Sequence, residues 1–256
     1  MRQLSAVLLF VFCVPIVLPA EEISVAAASD LSFVFPEIVK RFEHETGNTV
    51  KLSFGSSGNF YSQIANGAPY DLFFSADVDY PRKLDAAGLA EPGSLYPYAL
   101  GKLVLWVRND SKVKVQQGLK CLLDPQVRKI AIANPAHAPY GRAAEMALKK
   151  EGLYDKASEK LVLGENISQT AHFAETGNAD AGLIALSLAV APQMKGKGNY
   201  YVVDPKLYPQ ILQAAVILRS SPKKQTAKQF LEFVKSSAIS ALMNQYGFDS
   251  PGSGAR

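Results

Sequence analysis

Along this chain the apolar positions switch repeatedly between continuous runs and helical spacing. The run Ile23-Ser24-Val25-Ala26-Ala27-Ala28 reads as a strand, and Leu31, Val34, Phe35, Ile38, Val39 and Phe42 follow at i, i+3, i+4 spacing. They predict an amphipathic helix beginning near Leu31 and stopping at Gly47. A strand over 49–54, a helix over 59–66, a buried strand over 71–75 and a helix over 80–87 come next. A Pro/Gly/Tyr-rich stretch over 92–101 interrupts the alternation, and a very apolar strand over 103–107 follows it. The alternation then resumes, with strands over 129–133, 161–163 and 181–184 and helices over 142–151 and 169–175. A second Pro/Tyr-rich stretch over 204–209 precedes a strand over 211–218 and helices over 224–236 and 238–246.

Alternating strands and helices predict an α/β fold. The two interruptions suggest two lobes joined by two crossings, although one continuous α/β domain fits the same pattern. The expected division is 21–100 for the first part of lobe 1, 101–204 for lobe 2 and 205–256 for the second part of lobe 1.

Residues 1–20 carry the features of a secretory signal peptide: Arg2, an apolar stretch from Leu4 to Leu18, then Pro19 and the small Ala20. Cys13 follows the bulky Phe12, which does not fit a lipoprotein signal. Beyond that segment Cys121 is the only cysteine, so the expected mature chain forms no internal disulfide. Lys and Arg total 27 against 23 Asp and Glu, for a net charge of +4, and no basic run exceeds a pair. That balance argues against a nucleic-acid partner.

The candidate chemistry lies in the turns after the strands. Ser29, Gly55-Ser56-Ser57-Gly58 and Ala138-Pro139-Tyr140-Gly141 each follow a predicted strand and open a predicted helix. A helix N-terminus offers unpaired N–H groups and a partial positive charge, which suit an anion. No paired acid and base stands beside them, so the turns point to holding a small anion and not to an enzyme.

Ala26-Ala27-Ala28-Ser29, Phe54-Gly55-Ser56-Ser57-Gly58, the run from Gly67-Ala68-Pro69 to Ser75-Ala76-Asp77, and Tyr246-Gly247-Phe248 together resemble the periplasmic molybdate-binding proteins of ABC importers. The resemblance covers nearly the whole chain after residue 20, in order. It implies a two-lobed, type II periplasmic binding-protein fold that closes over molybdate or tungstate and delivers it to a membrane permease. It further implies a periplasmic monomer whose ligand is the oxyanion, with no cofactor and no resident metal. By position, Ser29 and Ser57 match the serines that hold the oxyanion, and Tyr140 and Ile167 match positions offering backbone N–H groups. Asp30 matches a neighbour of the first serine that contributes in one branch of the family. A tyrosine used in another branch is replaced by Ala185.

Asp30 is expected to point away from a dianion and cap the following helix. A carboxylate turned inward would instead suit a protonated phosphate, so phosphate stays open as a ligand, with sulfate the other tetrahedral oxyanion alternative. Two other classes fit less well. Tyr200-Tyr201 and His44, His137 and His172 are the candidates for ferric or other metal-ion capture, but adjacent strand residues face opposite ways. A hydrolase elbow G-x-S-x-G fails at Asn59.

Overall fold

The computed structural model describes residues 20–252, so the signal-peptide segment lies almost wholly outside the described residues. The chain opens with β1 (Glu22–Ala28), a 3-10 turn (Ser29–Leu31), α1 (Val34–Thr46), β2 (Thr49–Gly55), α2 (Ser57–Ala65), β3 (Leu72–Ser75), α3 (Asp79–Ala86) and β4 (Tyr96–Gly101). The middle holds β5 (Leu103–Arg108), β6 (Ile130–Ala133), α4 (Pro139–Lys150), α5 (Tyr154–Ser158), β7 (Leu161–Gly164), α6 (Ile167–Thr176), β8 (Ala181–Ala185), α7 (Leu186–Ala189) and β9 (Gly198–Val202). The chain then runs through β10 (Ile211–Ile217), α8 (Lys224–Val234) and α9 (Ser237–Gln245).

These strands form two five-stranded mixed sheets, β2-β1-β3-β10-β4 and β7-β6-β8-β5-β9. In the first, β1 runs parallel to β2 and β3, while β10 is antiparallel to β3 and β4. In the second, β6 runs parallel to β7 and β8, while β5 is antiparallel to β8 and β9. The chain passes between the sheets twice, after β4 and after β9. Each sheet with its helices makes one lobe, and the strand-to-helix turns of the parallel strands lie where ligands enter open α/β sheets.

Alternation along β3 builds the first lobe's two layers. Phe74 joins Phe35, Phe42 and Phe230 on one side, and Phe73 joins Phe60 and Leu84 on the other. The rings meet edge to face, Phe35 on Phe74 at 4.9 Å and Phe42 on Phe230 at 5.0 Å. Phe230 lies on α8, so the C-terminal helices complete a core begun at the N-terminus. The second lobe is built around Trp106, Leu122, Ile132, Leu148 and Leu183, all essentially buried.

Two sequence expectations change. The first helix begins at Val34, not near Leu31, because residues 29–31 form a separate 3-10 turn. Leu31 is buried from that turn and so extended the apparent periodicity. The stretch over 92–101 is not simply an interruption: β4 occupies its second half as an edge strand on β10. An edge tolerates Pro97, which lacks an N–H, and the register shifts between Gln213 and Ala214 opposite it. The expected stop at Gly47 is met, with φ of 75° closing α1.

Phe230→Ala should empty the junction between α1 and α8 and destabilise the protein by about 3–5 kcal/mol, read as a lower midpoint in urea unfolding with an unchanged slope.

Candidate functional site

Between the lobes lies a small cavity, of only about 10 Å³, lined by Ala28, Ser29, Asp30, Gly55, Ser56, Ser57 and Ala76 from the first lobe and Ala138, Pro139, Tyr140 and Ile167 from the second. The structure thus brings together all five residues nominated from sequence: Ser29, Asp30, Ser57, Tyr140 and Ile167. They come from four strand-to-helix turns, after β1, β2, β6 and β7.

Local sequence decides what each turn offers. At α2 the capping residue is Ser56, whose Oγ accepts from the Asn59 N–H at 3.4 Å, so Ser57 is the first helical residue. Ser57 Oγ accepts the Ala76 N–H at 2.9 Å, and its own O–H remains able to donate. At α4 Pro139 occupies the first helical turn and Ala138 has no side chain to cap it. The N–H groups of Tyr140 and Gly141 are therefore not covered by a cap. Gly141 is required there, since a Cβ would stand 2.1 Å from the Ala133 carbonyl oxygen. At α6 Asn166 caps through Oδ1 to the Gln169 N–H at 3.0 Å, and Ile167 leads the helix.

The lobes are closed on one another around this cavity. Ser29 Oγ donates to Asn166 Oδ1 at 3.2 Å and accepts from the Ser168 N–H at 3.3 Å. The Gly58 N–H donates to the His137 carbonyl at 2.9 Å, and His137 Nδ1 lies 2.8 Å from Ser56 Oγ. Further out Arg142 pairs with Asp77 at 2.5 Å, and the half-exposed guanidinium makes this a modest interlobe tie.

Asp30 corrects the sequence reading. It does not cap α1: the residue before that helix is Phe33, with no side-chain cap. Its carboxyl is instead buried, with Oδ2 accepting from Gln213 Nε2 at 2.6 Å. Gln213 also donates to the Tyr140 hydroxyl at 3.2 Å and accepts from the Tyr98 hydroxyl at 2.6 Å. The Tyr140 phenol from the second lobe thus ends inside the first, against Gly101, where a Cβ would stand 2.2 Å from its oxygen. Tyr140 is accordingly a buried residue that crosses from one lobe into the other. Burial pushes the Asp30 carboxyl up to about 6, against the smaller opposing effects of Gln213, Tyr140 and its own backbone. Burial first, and the nearby Asp30 charge second, hold the Tyr98 and Tyr140 phenols well above their ordinary value.

Among the described residues no lysine, arginine or histidine lines the cavity. Ala185 ends β8, buried and outside the cavity lining. Tyr200 and Tyr201 are exposed on the edge strand β9, and His44 and His172 are exposed on helices. Among the described residues no three His, Cys, Asp or Glu side chains stand together as a metal site. Sequence reasoning missed Gln213, Tyr98 and the His137–Ser56 contact. The signal for Gln213 was present: it is the lone polar residue in Ile211-Leu212-Gln213-Ala214-Ala215-Val216-Ile217. Gln213→Ala would leave the Tyr98 hydroxyl and Asp30 Oδ2 without these partners, and should cost about 2–4 kcal/mol in chemical denaturation.

The model of the family described as bacterial extracellular solute-binding protein matches residues 23–249. The molybdate-binding protein ModA of Rhodobacter capsulatus is 40% identical over 233 residues, covering 90% of each chain. A putative ABC transporter substrate-binding lipoprotein of Bacillus subtilis, YvgL, is 30% identical, covering 88% of this chain and 85% of its own. The solved periplasmic molybdate-binding protein of Azotobacter vinelandii superposes with a TM-score of 0.85 at 38% identity, over 90% of this chain and 99% of that one. With its matched span, its two mixed sheets and its closed interlobe cavity, this chain belongs to the bacterial extracellular solute-binding proteins.

Proposed function

We propose that this protein captures molybdate, and tungstate with it, in the cavity between its lobes and delivers the oxyanion to an ABC permease of the inner membrane. The observation that carries the reading is the donor-rich, cation-free cavity, in a chain 40% identical to a molybdate-binding protein. Molybdate near neutral pH is a tetrahedral dianion without protons, so its partners must all donate. Ser57 has a hydroxyl free to donate, Ser29 can turn its own, and the Asp30, Tyr140 and Ile167 backbone N–H groups complete the set. Hydrogen bonds to a charged partner contribute roughly 1.5–3 kcal/mol each, so several offset desolvation without a lysine or arginine.

Both lobes supply donors, and the ligand therefore stabilises the closed arrangement by contacts that the open one cannot make. In this reading the ligand-binding unit divides as 21–100 with 205–256 and 101–204. Residues 1–20 direct export to the periplasm, and the mature chain acts as a monomer. It binds without transforming its ligand and uses neither a cofactor nor nucleic acid. Phosphate or sulfate, as other tetrahedral oxyanions, is the second reading, and Asp30 favours phosphate within it because a protonated phosphate can donate to a carboxyl in the lining.

Thermal unfolding of the mature chain with each oxyanion tests the choice. At 100 times its dissociation constant a ligand adds about 2.7 kcal/mol, or roughly 5–10 °C for a chain of this size. A rise with molybdate and tungstate but not sulfate is expected, whereas a rise with phosphate alone would overturn the ligand.

Two substitutions test the donors. Ser57→Ala should weaken molybdate by roughly 10- to 150-fold, the equivalent of one charge-assisted bond. Tyr140→Pro, which removes the N–H within a turn that tolerates proline, should weaken it more than Tyr140→Ala, which loses only the phenol. Unchanged affinity in both Ser57→Ala and Tyr140→Pro would remove these residues from the site.

A further inference from the structure

We propose that the Asp30 side chain enters the ligand site as a neutral carboxylic acid, so that capture of a dianionic oxyanion takes up one proton. The inference rests on the oxyanion reading and adds a selectivity-determining group to that site. Its basis is the asymmetry of the carboxyl. Oδ2 has a donor, Gln213 Nε2 at 2.6 Å, whereas Oδ1 is sealed from solvent with no hydrogen-bond partner among the described residues. With Oδ2 already accepting, Oδ1 is the oxygen left to carry a proton, and the acceptor its hydroxyl then requires is an oxygen of the anion in the cavity that Asp30 lines. An ionised carboxylate would leave that oxygen unpaired in a low-dielectric interior.

The surroundings keep the group in place. The Ser187 hydroxyl donates to the Asp30 carbonyl at 2.8 Å, and the Gln213 amide is held from its other end by Tyr98. Facing the carboxyl are the phenols of Tyr98 and Tyr140, neither of which supplies a positive charge. Of the elements packed on the 3-10 turn, α6 carries exposed His172 and half-buried Glu175, the latter paired with Lys197, and β2 carries exposed Lys51. Across the cavity His137 contacts Ser56, and Arg142 is paired with Asp77. Among the described residues no cation therefore neutralises Asp30 directly. A dianion in the same cavity makes ionisation still less favourable, because like charges disfavour one another most where water is excluded.

The sign follows from linkage. Burial already lifts the carboxyl to about 6 from its ordinary value near 3.8. A group whose value is raised on closure favours the closed state below that value, and this contribution is lost as pH rises through it. Affinity for the dianion should therefore fall with rising pH, by up to roughly tenfold per pH unit while one proton is taken up.

The test is calorimetric titration of the mature protein with molybdate from pH 5.5 to 8.5, in pairs of buffers with different ionisation heats to count protons. Close to one proton taken up per molybdate, with affinity falling across part of that range, is expected of the wild type. Asp30→Asn keeps an acceptor for Gln213 and substitutes a neutral N–H donor for the acid, so it should bind without proton uptake. His137→Gln controls for the imidazole beside Ser56 and should retain the uptake. Tight molybdate binding with no proton uptake in the wild type would overturn the proposal while leaving the oxyanion reading intact. Uptake that persists in Asp30→Asn, or vanishes in His137→Gln, would overturn it too. Failure of the wild type to bind molybdate at any pH would instead overturn the oxyanion reading on which it stands.

Discussion

The structure is organised around helix starts that keep hydrogen-bond donors free toward one cavity. A helix leaves its first N–H groups unpaired, and most proteins cover them with a side chain or with water. Here α4 begins on Ala138-Pro139 with no capping side chain, and α2 is capped from the residue before Ser57, which frees the Ser57 hydroxyl. These groups face a cavity that closure of the lobes shields from solvent. Backbone donors are rigid and do not titrate, so a charged guest held by them meets a field that changes little with conditions. The two mixed sheets serve this end: their parallel strands deliver four helix starts, from two lobes, to one point.

Asp30 is the exception in that neutral lining, and its neighbours explain how the fold accommodates it. Gln213 comes from β10, Tyr98 from β4 and Tyr140 from the other lobe, and they form one buried hydrogen-bonded group with it. Such groups cost stability when half satisfied and give specificity when complete. Because the Tyr140 phenol joins this group only when the lobes meet, the network is also a point at which closure is registered inside the first lobe.

Much of the fold was legible because strands and helices here have distinct apolar periods. Residues of the cavity lining were legible in the turns after strands, as the small polar Ser29 and Ser57 and as the Ala-Pro-Tyr-Gly turn that carries Tyr140. What escaped was set by tertiary contact. The 3-10 turn at residues 29–31 imitated the first turn of a helix, because Leu31 is buried from it. β4 hid behind Pro97, since edge strands admit a residue that central strands exclude. The orientation of Asp30 depended on Gln213, 183 residues away in the chain, and no local pattern signals that a helix-cap residue will turn inward to meet it.

The position of β10 has a consequence for the order in which the molecule can assemble. The second sheet draws only on residues from Leu103 to Val202, an unbroken stretch of chain. The first sheet has β10 between β3 and β4, and its aromatic core closes only with Phe230 on α8. A chain emerging N-terminus first can therefore complete its middle before its beginning. The first hundred residues must wait, with β3 and β4 unjoined, until nearly the whole polypeptide is available. The lobe that carries Ser29, Asp30 and Ser57 is thus the last to form, and no competent site precedes a nearly full-length chain.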